Sequence, residues 1–393
     1  MKYEFWIASR YFLAKRRTKF ISLVSLISIL GVAVGVTALI VVLAVMSGFD
    51  VDLKDKIIGT NAHIFVEKNG GIENYEALRN SIKTVPGVRA AAPYVNGQAM
   101  LIYRQNVYGI AVRGIEPKEE FDVTRIRQYL KEGSISLGMN QIVIGKVLAE
   151  RVNLKLGDVI SLVSPYDGKN YSFEIAGIFS SGMYEYDANL TLVHINRAQQ
   201  FFGLDTAVSG IGVSLENVDS ARKMKGDIYA KLGPGYYVLT WMDTNKNLFS
   251  ALKLEKTVMF IILTLIIVVA AFNIASTLIM FVMEKTKDIG ILKAIGATGK
   301  SIRLIFSFEG MIIGLLGTIL GAIGGFGLCW VLKNYDFIRL PQDVYYIDHL
   351  PVRVETLDSI LVVIFAVLIS YFSTLYPARQ ASRLNPVEAI RYE

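Results

Sequence analysis

Four long apolar runs in this chain predict four helices that cross a membrane. The first run, residues 21–46, contains no charged residue, and its few polar residues follow no regular spacing. It is longer than the roughly 20 residues that span the hydrocarbon core of a bilayer, and too long for the apolar part of a cleaved signal peptide. Three further runs cover residues 258–283, 308–332 and 358–376. We therefore expect a multi-pass membrane protein whose first span is not cleaved off.

A different pattern fills residues 47–257, where short apolar runs alternate with polar residues and turn signals. Such runs predict strands, and longer stretches of helical period predict helices between them. This pattern indicates a large α+β domain, which we expect to form two lobes, inserted between the first two spans. The predicted strands are residues 63–67, 99–103, 107–113, 141–144, 159–164, 171–178, 190–194 and 211–215. The predicted helices are residues 75–83, 146–151, 197–202 and 218–232.

The charge distribution predicts the orientation of the spans. Residues 1–20 carry a net charge of +5 and residues 284–303 carry +3, whereas the short segment 333–357 carries −1. Cytoplasmic loops are enriched in Lys and Arg, so both termini and the loop 284–307 should be cytoplasmic. The inserted domain 47–257 and the segment 333–357 should then lie outside the cytoplasm. The whole-chain charge of +7 is explained by these loops, and no nucleic-acid-binding motif accompanies it.

The overall composition agrees with a membrane protein and excludes several other classes. Hydrophobic residues make up 53% and charged residues 19% of the chain, and the mean hydropathy is +0.43. A single cysteine, Cys329, excludes an intrachain disulfide, and the scattered histidines His63, His194 and His349 argue against a metal centre. The inserted domain has no G-x-S-x-G or H-E-x-x-H motif, so we expect no catalytic residue and no enzymatic activity in this chain.

The segment between the second and third spans predicts a short surface helix. In residues 284–297, Ile291, Leu292 and Ile295 form an apolar stripe, and Gly296 is a stop signal. Such a helix either lies on lipid headgroups or docks into a groove of a cytoplasmic partner. Residues 294–301 also resemble the end of a phosphate-binding loop, but Ala294 replaces the first glycine and no strand is predicted before it, so we regard this match as accidental.

Two further patterns concern packing. Residues 1–20 combine aromatic and basic residues and predict an amphipathic helix at the membrane interface. Pairs of glycines four residues apart allow close approach of helices, either within one chain or between subunits. These glycines are Gly31 and Gly35 in the first span and Gly310, Gly314, Gly317 and Gly321 in the third.

Several motifs together resemble those of a known transporter family. The segment 284–297, with residues 302 and 306–310, is similar to the coupling-helix signature of FtsX-like permeases of the MacB-type superfamily, and residues 376–393 resemble the C-terminal motif of that superfamily. Residues 20–49 are similar to the first span of the lipoprotein-releasing LolC/LolE permeases. Residues 145–150, 156–158 and 176–179 resemble the outer domain of the same family.

This resemblance implies a function and a set of partners. It implies a permease subunit in a bacterial inner membrane, paired with an identical or different permease subunit and docked on a dimer of LolD-like ATPases. The ATPase would hold ATP and Mg²⁺, with no cofactor bound by this chain, and the complex would extract lipoproteins for transfer toward the outer membrane. The alternative is MacB-like export, or FtsX-like signalling without cargo.

The resemblance also implies roles for particular residues. The residues expected to couple this chain to the ATPase are Glu284, Asp288, Gly290, Ile291, Leu292, Ala294, Ile295, Gly296 and Ala297. A substrate cavity is expected between paired first and second spans, and its candidate wall residues are Val42, Met46 and Phe49, at the outer end of the first span. A flexible Met suits a variable acyl surface.

One region differs from the family pattern. In LolC, a long hairpin rich in Pro and Gly holds the periplasmic carrier LolA, which is therefore a further implied partner. Residues 164–171 of this chain form only a short turn, Ser-Pro-Tyr-Asp-Gly-Lys-Asn-Tyr. We therefore predict that this loop does not hold a LolA-like carrier.

Overall fold

The computed structural model describes residues 2–13, 19–104, 106–335 and 350–386. The predicted segments 333–357 and 377–393 lie partly outside these residues. The helices are α1 Lys2–Leu13, α2 Lys19–Thr60, α3 Tyr75–Lys83, α4 Pro117–Val123, α5 Lys146–Val152, α6 Tyr184–Asn189, α7 Ile195–Phe202, α8 Ala221–Leu232, α9 Trp241–Thr244, α10 Lys246–Glu284, α11 Thr286–Ala294, α12 Gly299–Asn334 and α13 Thr356–Ser382. The strands are β1 Ile64–Ile72, β2 Val88–Tyr103, β3 Asn106–Ile115, β4 Leu130–Gly133, β5 Gln141–Gly145, β6 Val159–Val163, β7 Asn170–Phe179, β8 Leu190–His194, β9 Val208–Leu215 and β10 Tyr237–Thr240.

The described chain divides into two compact units. The membrane unit contains the described residues of Met1–Asp50, Leu252–Phe337 and Leu350–Glu393, and the sheet unit contains Val51–Ala251. Within the described residues, four helices are long and apolar enough to span a membrane, namely α2, α10, α12 and α13. The predicted fold class, four spans with an α+β insertion after the first, is confirmed.

Each of these four helices is longer than its predicted span. Helix α2 continues past residue 46 to Thr60 because Leu53, Ile57 and Ile58 form a buried stripe in its polar final turns. Helix α12 begins nine residues before residue 308, where the Thr298 hydroxyl accepts a hydrogen bond from the Ser301 N–H at 3.2 Å and caps the helix. Helix α13 continues through Pro377. Hydropathy identifies the membrane-crossing part of a helix, whereas capping and packing set its ends.

The membrane unit is held together by apolar contacts among all four long helices. Helix α2 contributes the largest share of a buried cluster, which Cys329 of α12 and Val362 of α13 also join. The remaining buried members of this cluster are Ile29, Val32, Val36, Leu39, Ile40, Ala44, Ile274, Leu278, Phe281 and Ile313. Polar groups add contacts, since the Ser28 and Thr277 hydroxyls hydrogen-bond between α2 and α10.

The sheet unit is built on one ten-stranded sheet. The strand order is β10-β1-β9-β2-β3-β8-β5-β7-β4, and β6 pairs with both β2 and β7. The pairs β3–β8 and β5–β7 are parallel, and the other pairs are antiparallel. The 16-residue strand β2 pairs with β3, β6 and β9 and so joins both halves of the sheet. A single sheet therefore runs through the unit, and β2 begins at Val88, well before the predicted strand 99–103. The expected division into two lobes stays a prediction.

The end of α2 is fixed within the sheet unit by polar contacts. Arg113 of β3 donates to the Thr60 carbonyl oxygen at 3.3 Å and to the Asn61 side-chain oxygen at 3.1 Å. The Asn61 amide donates to the Tyr186 hydroxyl at 2.6 Å. A cation at a helix C-terminus complements the unbonded carbonyls there.

Candidate functional site

The predicted surface helix is present as α11, between α10 and α12. At its start, the Lys285 ammonium contacts the Asp288 carboxylate at 2.8 Å. At its end, the Gly296 N–H donates to the Lys293 carbonyl at 3.0 Å and the Ala297 N–H to the Leu292 carbonyl at 2.9 Å. Gly296 has a φ of +109°, which a residue with a Cβ rarely adopts. These bonds form a Schellman motif, so Gly296 terminates the helix in the way its position indicated.

The inner face of α11 packs on a cluster that we call the basal cluster: Ala8, Val282, Ile289, Ile302, Ile305, Phe306, Ala378 and Ala381. These residues come from α1, α10, α11, α12 and α13, so five helices of the membrane unit meet there. Ile289 is fully buried in the cluster, and Leu292 and Ala297 pack against it while remaining half-buried. Gly290 is also buried. This face of α11 is therefore part of the fold of the chain.

The outer face of α11 is exposed and apolar. Ile291 and Ile295 lie one helical turn apart, and their exposed fractions are 44% and 81%. Ala294 and Gly296 are exposed beside them, and Glu284 is exposed just before the helix. The structure thus divides the predicted stripe: Ile291 and Ile295 face outward, whereas Leu292 faces the basal cluster. The predicted coupling role of all these residues stays a prediction.

Helix α1 is attached to the same cluster. The Tyr3 hydroxyl donates to the Ser301 hydroxyl oxygen at 2.6 Å, and Ala8 is fully buried. The Lys285 ammonium lies 4.9 Å from the ring centre of Tyr11. Burial, with a contribution from the Asp288 carboxylate, raises the pKa of Tyr11 to about 12, so its hydroxyl stays protonated at neutral pH. The exposed ring of Trp6 leaves α1 with an aromatic outer face.

Lys293 joins α11 to the end of α13. Its ammonium donates to the Ser382 carbonyl oxygen at 2.8 Å and to the Leu384 carbonyl oxygen at 2.6 Å. Ser382 is the last residue of α13, so these carbonyls follow the last intrahelical bonds. Sequence reasoning did not single out Lys293; a basic residue in the last turn of a short helix gave no indication of this partner.

The predicted packing glycines lie against neighbouring helices of the same chain. A Cβ on Gly317 would lie 2.7 Å from the Cβ of Val32, and one on Gly321 would lie 2.6 Å from the Ala33 carbonyl oxygen. The other four have similar neighbours: Gly310 lies against Thr374 and Leu278, Gly314 against Ser370, Gly31 against Asn273, and Gly35 against Ile266. Of the two interpretations left open above, these contacts favour packing within one chain.

An apolar cavity of about 330 Å³ lies within the membrane unit, between α2, α10 and α13. Its lining includes Leu39 and Leu43 of α2, Phe260 of α10, and Phe365 of α13, with Asp358 near one end. Its volume is at the lower end of the roughly 300–1,000 Å³ typical of small-molecule sites. The remaining lining residues are Val32, Gly35, Val36, Thr264, Ile266, Ile267, Ala270, Ile274, Leu361, Val362, Ala366, Ile369 and Ser370.

The structure places the predicted cavity residues elsewhere on α2. Val42, Met46 and Phe49 are half-buried and do not line this cavity. Its wall on α2 consists of Val32, Gly35, Val36, Leu39 and Leu43. Because α2 is apolar on every side in this region, its sequence gives no indication of which face borders an opening. The role predicted for these three residues was in the wall of a cavity between paired first and second spans. That role stays a prediction.

The short loop between β6 and β7 in the sheet unit is closed by its own hydrogen bonds. The Ser164 hydroxyl accepts from the Tyr166 N–H at 3.1 Å and donates to the Phe201 carbonyl at 2.7 Å. The Gly168 N–H donates to the Ser164 carbonyl at 3.0 Å. Val163, Ser164 and Pro165 also border a groove of about 820 Å³ over β2 and β3. The loop therefore forms one wall of a groove and does not project as a long arm.

Comparison with known proteins assigns a class to this architecture. Residues 260–386 match the FtsX-like permease C-terminal family, and residues 25–230 match the MacB-like periplasmic core domain. The four-span unit with an inserted sheet unit is thus that of an FtsX-like, MacB-type membrane permease. The periplasmic region of MacB from Actinobacillus actinomycetemcomitans is 13% identical, with a TM-score of 0.34, over 50% of this chain and 95% of that one. The extracellular domain of the transporter YknZ from Gram-positive bacteria is 17% identical, also with a TM-score of 0.34, over 45% of this chain and 99% of that one.

Whole-length relatives define the family more narrowly. The lipoprotein-releasing system transmembrane protein LolC of Xylella fastidiosa is 37% identical over 98% of both chains. LolC of Neisseria meningitidis serogroup B is 35% identical over 99% of both chains, and LolE of Haemophilus influenzae is 28% identical over 99% of both. The chain belongs to the LolC/LolE family of lipoprotein-releasing permeases.

Proposed function

We propose that this chain is the permease subunit of an ABC transporter that extracts lipoproteins from the inner membrane for transfer toward the outer membrane. The observation that carries the proposal, beside the family, is the apolar cavity between α2, α10 and α13. A lipoprotein is anchored by its acyl chains at about 0.8 kcal/mol per buried methylene, so it does not leave the bilayer without work. A cavity lined by Leu, Ile, Val and Phe offers an acyl chain an apolar surface during that transfer.

The work comes from ATP hydrolysed by a separate LolD-like ATPase dimer, which holds the nucleotide and Mg²⁺. The exposed Ile291–Ile295 face of α11 supports docking of such a partner, since two isoleucines one turn apart suit an apolar groove. Glu284 and Asp288 lie near the N-terminal end of this helix and set the orientation of docking through charges at the rim. The permease acts as a dimer with an identical or a second permease subunit.

The orientation proposed for the complex follows from the charges of the loops. Both termini and α11 face the cytoplasm, where the ATPase is found, and the sheet unit faces the periplasm. Any LolA-like carrier contacts a surface other than the short loop 164–169, or contacts the companion subunit.

The test is release of a lipopeptide from proteoliposomes. The chain is co-purified with its ATPase and companion permease, reconstituted with a fluorescent triacylated lipopeptide, and supplied with ATP or a non-hydrolysable analogue. We expect release with ATP only. ATP hydrolysis without release would favour the FtsX-like signalling alternative and contradict the proposal.

A pair of variants in α13 tests the cavity itself. Ala366 lines the cavity, whereas Ile364, two residues earlier, is 48% exposed on the outer surface. Ala366→Trp fills the cavity and should lower release, whereas Ile364→Trp adds a ring of comparable size outside it and should not. Equal release by both variants would show that the acyl chain takes another route.

A further inference from the structure

Helix α11 carries its two kinds of contact on opposite sides. Successive residues of an α-helix are rotated by about 100°, so Lys293 lies on the opposite side from both Ile291 and Ile295. The outward side is apolar and exposed. On the opposite side, Lys293 reaches the carbonyl oxygens of Ser382 and Leu384, at 2.8 and 2.6 Å. The residue facing α13 and the residues facing a partner are therefore fixed to one short rigid helix.

The contact made by Lys293 consists of two hydrogen bonds from a charged donor. An ammonium group is a compact charge with three donors, and hydrogen bonds to a charged donor are about twice as strong as neutral ones. Its acceptors are carbonyls at the negative end of α13, where a cation is favoured. Close packing accompanies the bonds, since a Cβ on Gly299 at the start of α12 would lie 3.4 Å from the Ser382 carbonyl oxygen.

The other end of α13 borders the cavity. Its residues Leu361, Phe365 and Ile369 line the cavity wall opposite α2, several turns from Ser382. Helix α13 is continuous from Ile369 to Ser382, and apart from the one bond that Pro377 removes, its backbone hydrogen bonds hold these turns at a fixed rise. A displacement of α11 that is passed to Ser382 and Leu384 is therefore passed to the cavity wall.

We propose that Lys293 is the positioning residue that transmits movement of α11 to α13, and thereby couples ATPase docking on Ile291 and Ile295 to the shape of the cavity. This inference rests on the proposed function, because it takes α11 as the docking helix. It adds a specific residue, a specific pair of acceptors and a specific helix through which the coupling runs. Lys293 acts through α13 and touches neither nucleotide nor cargo.

The test separates docking from transmission by measuring both in the assembled complex. Lys293→Met keeps the stem and removes the donors, Lys293→Arg keeps charged donors, and Lys300→Met removes an exposed lysine at the start of α12, outside the docking helix, as a control. For each complex we measure the ATPase recovered per permease, the ATP hydrolysed, and the lipopeptide released per ATP. For Lys293→Met we expect unchanged recovery of the ATPase and roughly tenfold less release per ATP, which corresponds to about 1.4 kcal/mol of coupling. Lys293→Arg should retain most of the release, and Lys300→Met all of it.

A cross-linking experiment keeps the proposal testable if Lys293→Met accumulates poorly. In a Cys329→Ser background, Lys293→Cys and Leu384→Cys are combined and joined by a short bis-maleimide in the purified complex. Release per ATP should be low before cross-linking and should rise after it, because the covalent link replaces the lost hydrogen bonds. A purely stabilising lysine would give no such rise.

The outcomes distinguish this inference from the proposed function. Normal release per ATP by Lys293→Met, or no recovery on cross-linking, overturns the role of Lys293 and leaves the transporter intact. Loss of the ATPase from Lys293→Met shows that the lysine only holds the docking helix in place and also overturns transmission. A wild-type complex that binds no ATPase or releases no lipopeptide instead refutes the proposed function.

Discussion

Gly317 of α12 and Val32 of α2 approach so closely that a Cβ on the glycine would lie 2.7 Å from the Cβ of the valine. The same substituent would lie 3.0 Å from the Ile29 carbonyl oxygen, so neither a side chain nor the backbone of α2 leaves room for it. One turn further along, the Thr37 hydroxyl donates to the Gly321 carbonyl at 3.0 Å. The contact between the first and third spans thus depends on the absence of side chains at these positions.

We therefore predict that Gly317→Ala and Gly321→Ala each destabilise the membrane unit by about 1–3 kcal/mol, the usual cost of overpacking a close contact. The measurement is the unfolding temperature of the purified protein in detergent. Gly327→Ala is the matched control, since Gly327 lies in the same helix and nothing lies within 4 Å of its added Cβ. If Gly327→Ala is as unstable as Gly317→Ala, the loss comes from replacing any glycine of this helix and not from the close contact with α2.

The second prediction concerns orientation. In a Cys329→Ser background, a membrane-impermeant maleimide should label Ser220→Cys in intact spheroplasts and should label Thr298→Cys only after permeabilisation. The reason is the concentration of Lys and Arg in residues 1–20 and 284–303. Labelling in the reverse pattern would place α11 outside the cell, away from any cytoplasmic ATPase, and would refute the transporter proposal.

The third prediction concerns the docking face of α11. A buried unpaired carboxylate is strongly unfavourable, so Ile295→Asp should cost several kcal/mol of binding and release the ATPase during co-purification. Ile295 is 81% exposed, so its replacement should leave the fold of the permease unchanged. Leu292→Asp should also release the ATPase, but this side chain packs against the basal cluster and the variant should lose stability as well.

Together, Ile295→Asp and Leu292→Asp distinguish a face of α11 that docks a partner from a face that contacts lipid. If the ATPase is recovered in full with Ile295→Asp, the outer face of α11 contacts only lipid headgroups. Loss of the ATPase with Leu292→Asp alone would instead mean that the basal cluster, rather than an outer groove, holds the docking helix in place.

The fourth prediction concerns His63, which is buried at the start of β1. Its Nδ1 accepts a hydrogen bond from the Leu215 N–H at 2.9 Å, and burial, with the charges of Arg89 and Arg125, lowers its pKa to about 4. The unfolded chain binds a proton near pH 6.5, so between pH 6.5 and 4 it holds more protons than the folded chain. The contribution of His63 is therefore complete above about pH 6.5 and is lost as the pH falls through 4.

At pH 5 we expect a loss of about 2 kcal/mol from this residue alone. The matched variant is His63→Asn, whose side-chain oxygen can accept the same hydrogen bond without titrating. The unfolding temperatures of both proteins are compared at pH 7 and pH 5. An equal decrease for wild type and His63→Asn would show that other groups govern the acid sensitivity.

Much of the architecture could be predicted from the sequence, for physical reasons that particular elements show. The four spans follow from long apolar runs with at most one charged residue each. Gly296 as a helix stop follows from the φ that only glycine adopts readily. The outward face of α11 could be predicted only in part. Leu292 and Ile295 both belong to an apolar stripe, and only the position of the basal cluster decides which of them is buried.

Other features depended on contacts that are distant in sequence. The cavity wall on α2 is set by where α10 and α13 pack. Because α2 itself is uniformly apolar, the sequence could not distinguish Val42, Met46 and Phe49 from lining residues such as Leu39 and Leu43. The bond from Lys293 to Ser382 joins residues 89 positions apart. The continuity of β2 likewise comes from pairing with three other strands, which no local pattern reveals.

The last prediction concerns the loop between β6 and β7. A loop that holds a carrier must project well beyond the sheet, but Ser164 to Lys169 is closed by the Lys169 carbonyl, which accepts from the Ser164 N–H at 3.0 Å, and by the bonds of the Ser164 hydroxyl. The ring of Tyr166 lies beside Gly203 and is 69% exposed. We expect a photo-activated residue at position 167 in the assembled complex to give no cross-link to a soluble LolA-like carrier.

The matched position is Met100, which is 59% exposed and lines the groove over β2 and β3 that this loop borders. A strong cross-link from 167 would show that the short loop does hold a carrier, whereas one from 100 alone would move carrier contact from the loop to the groove.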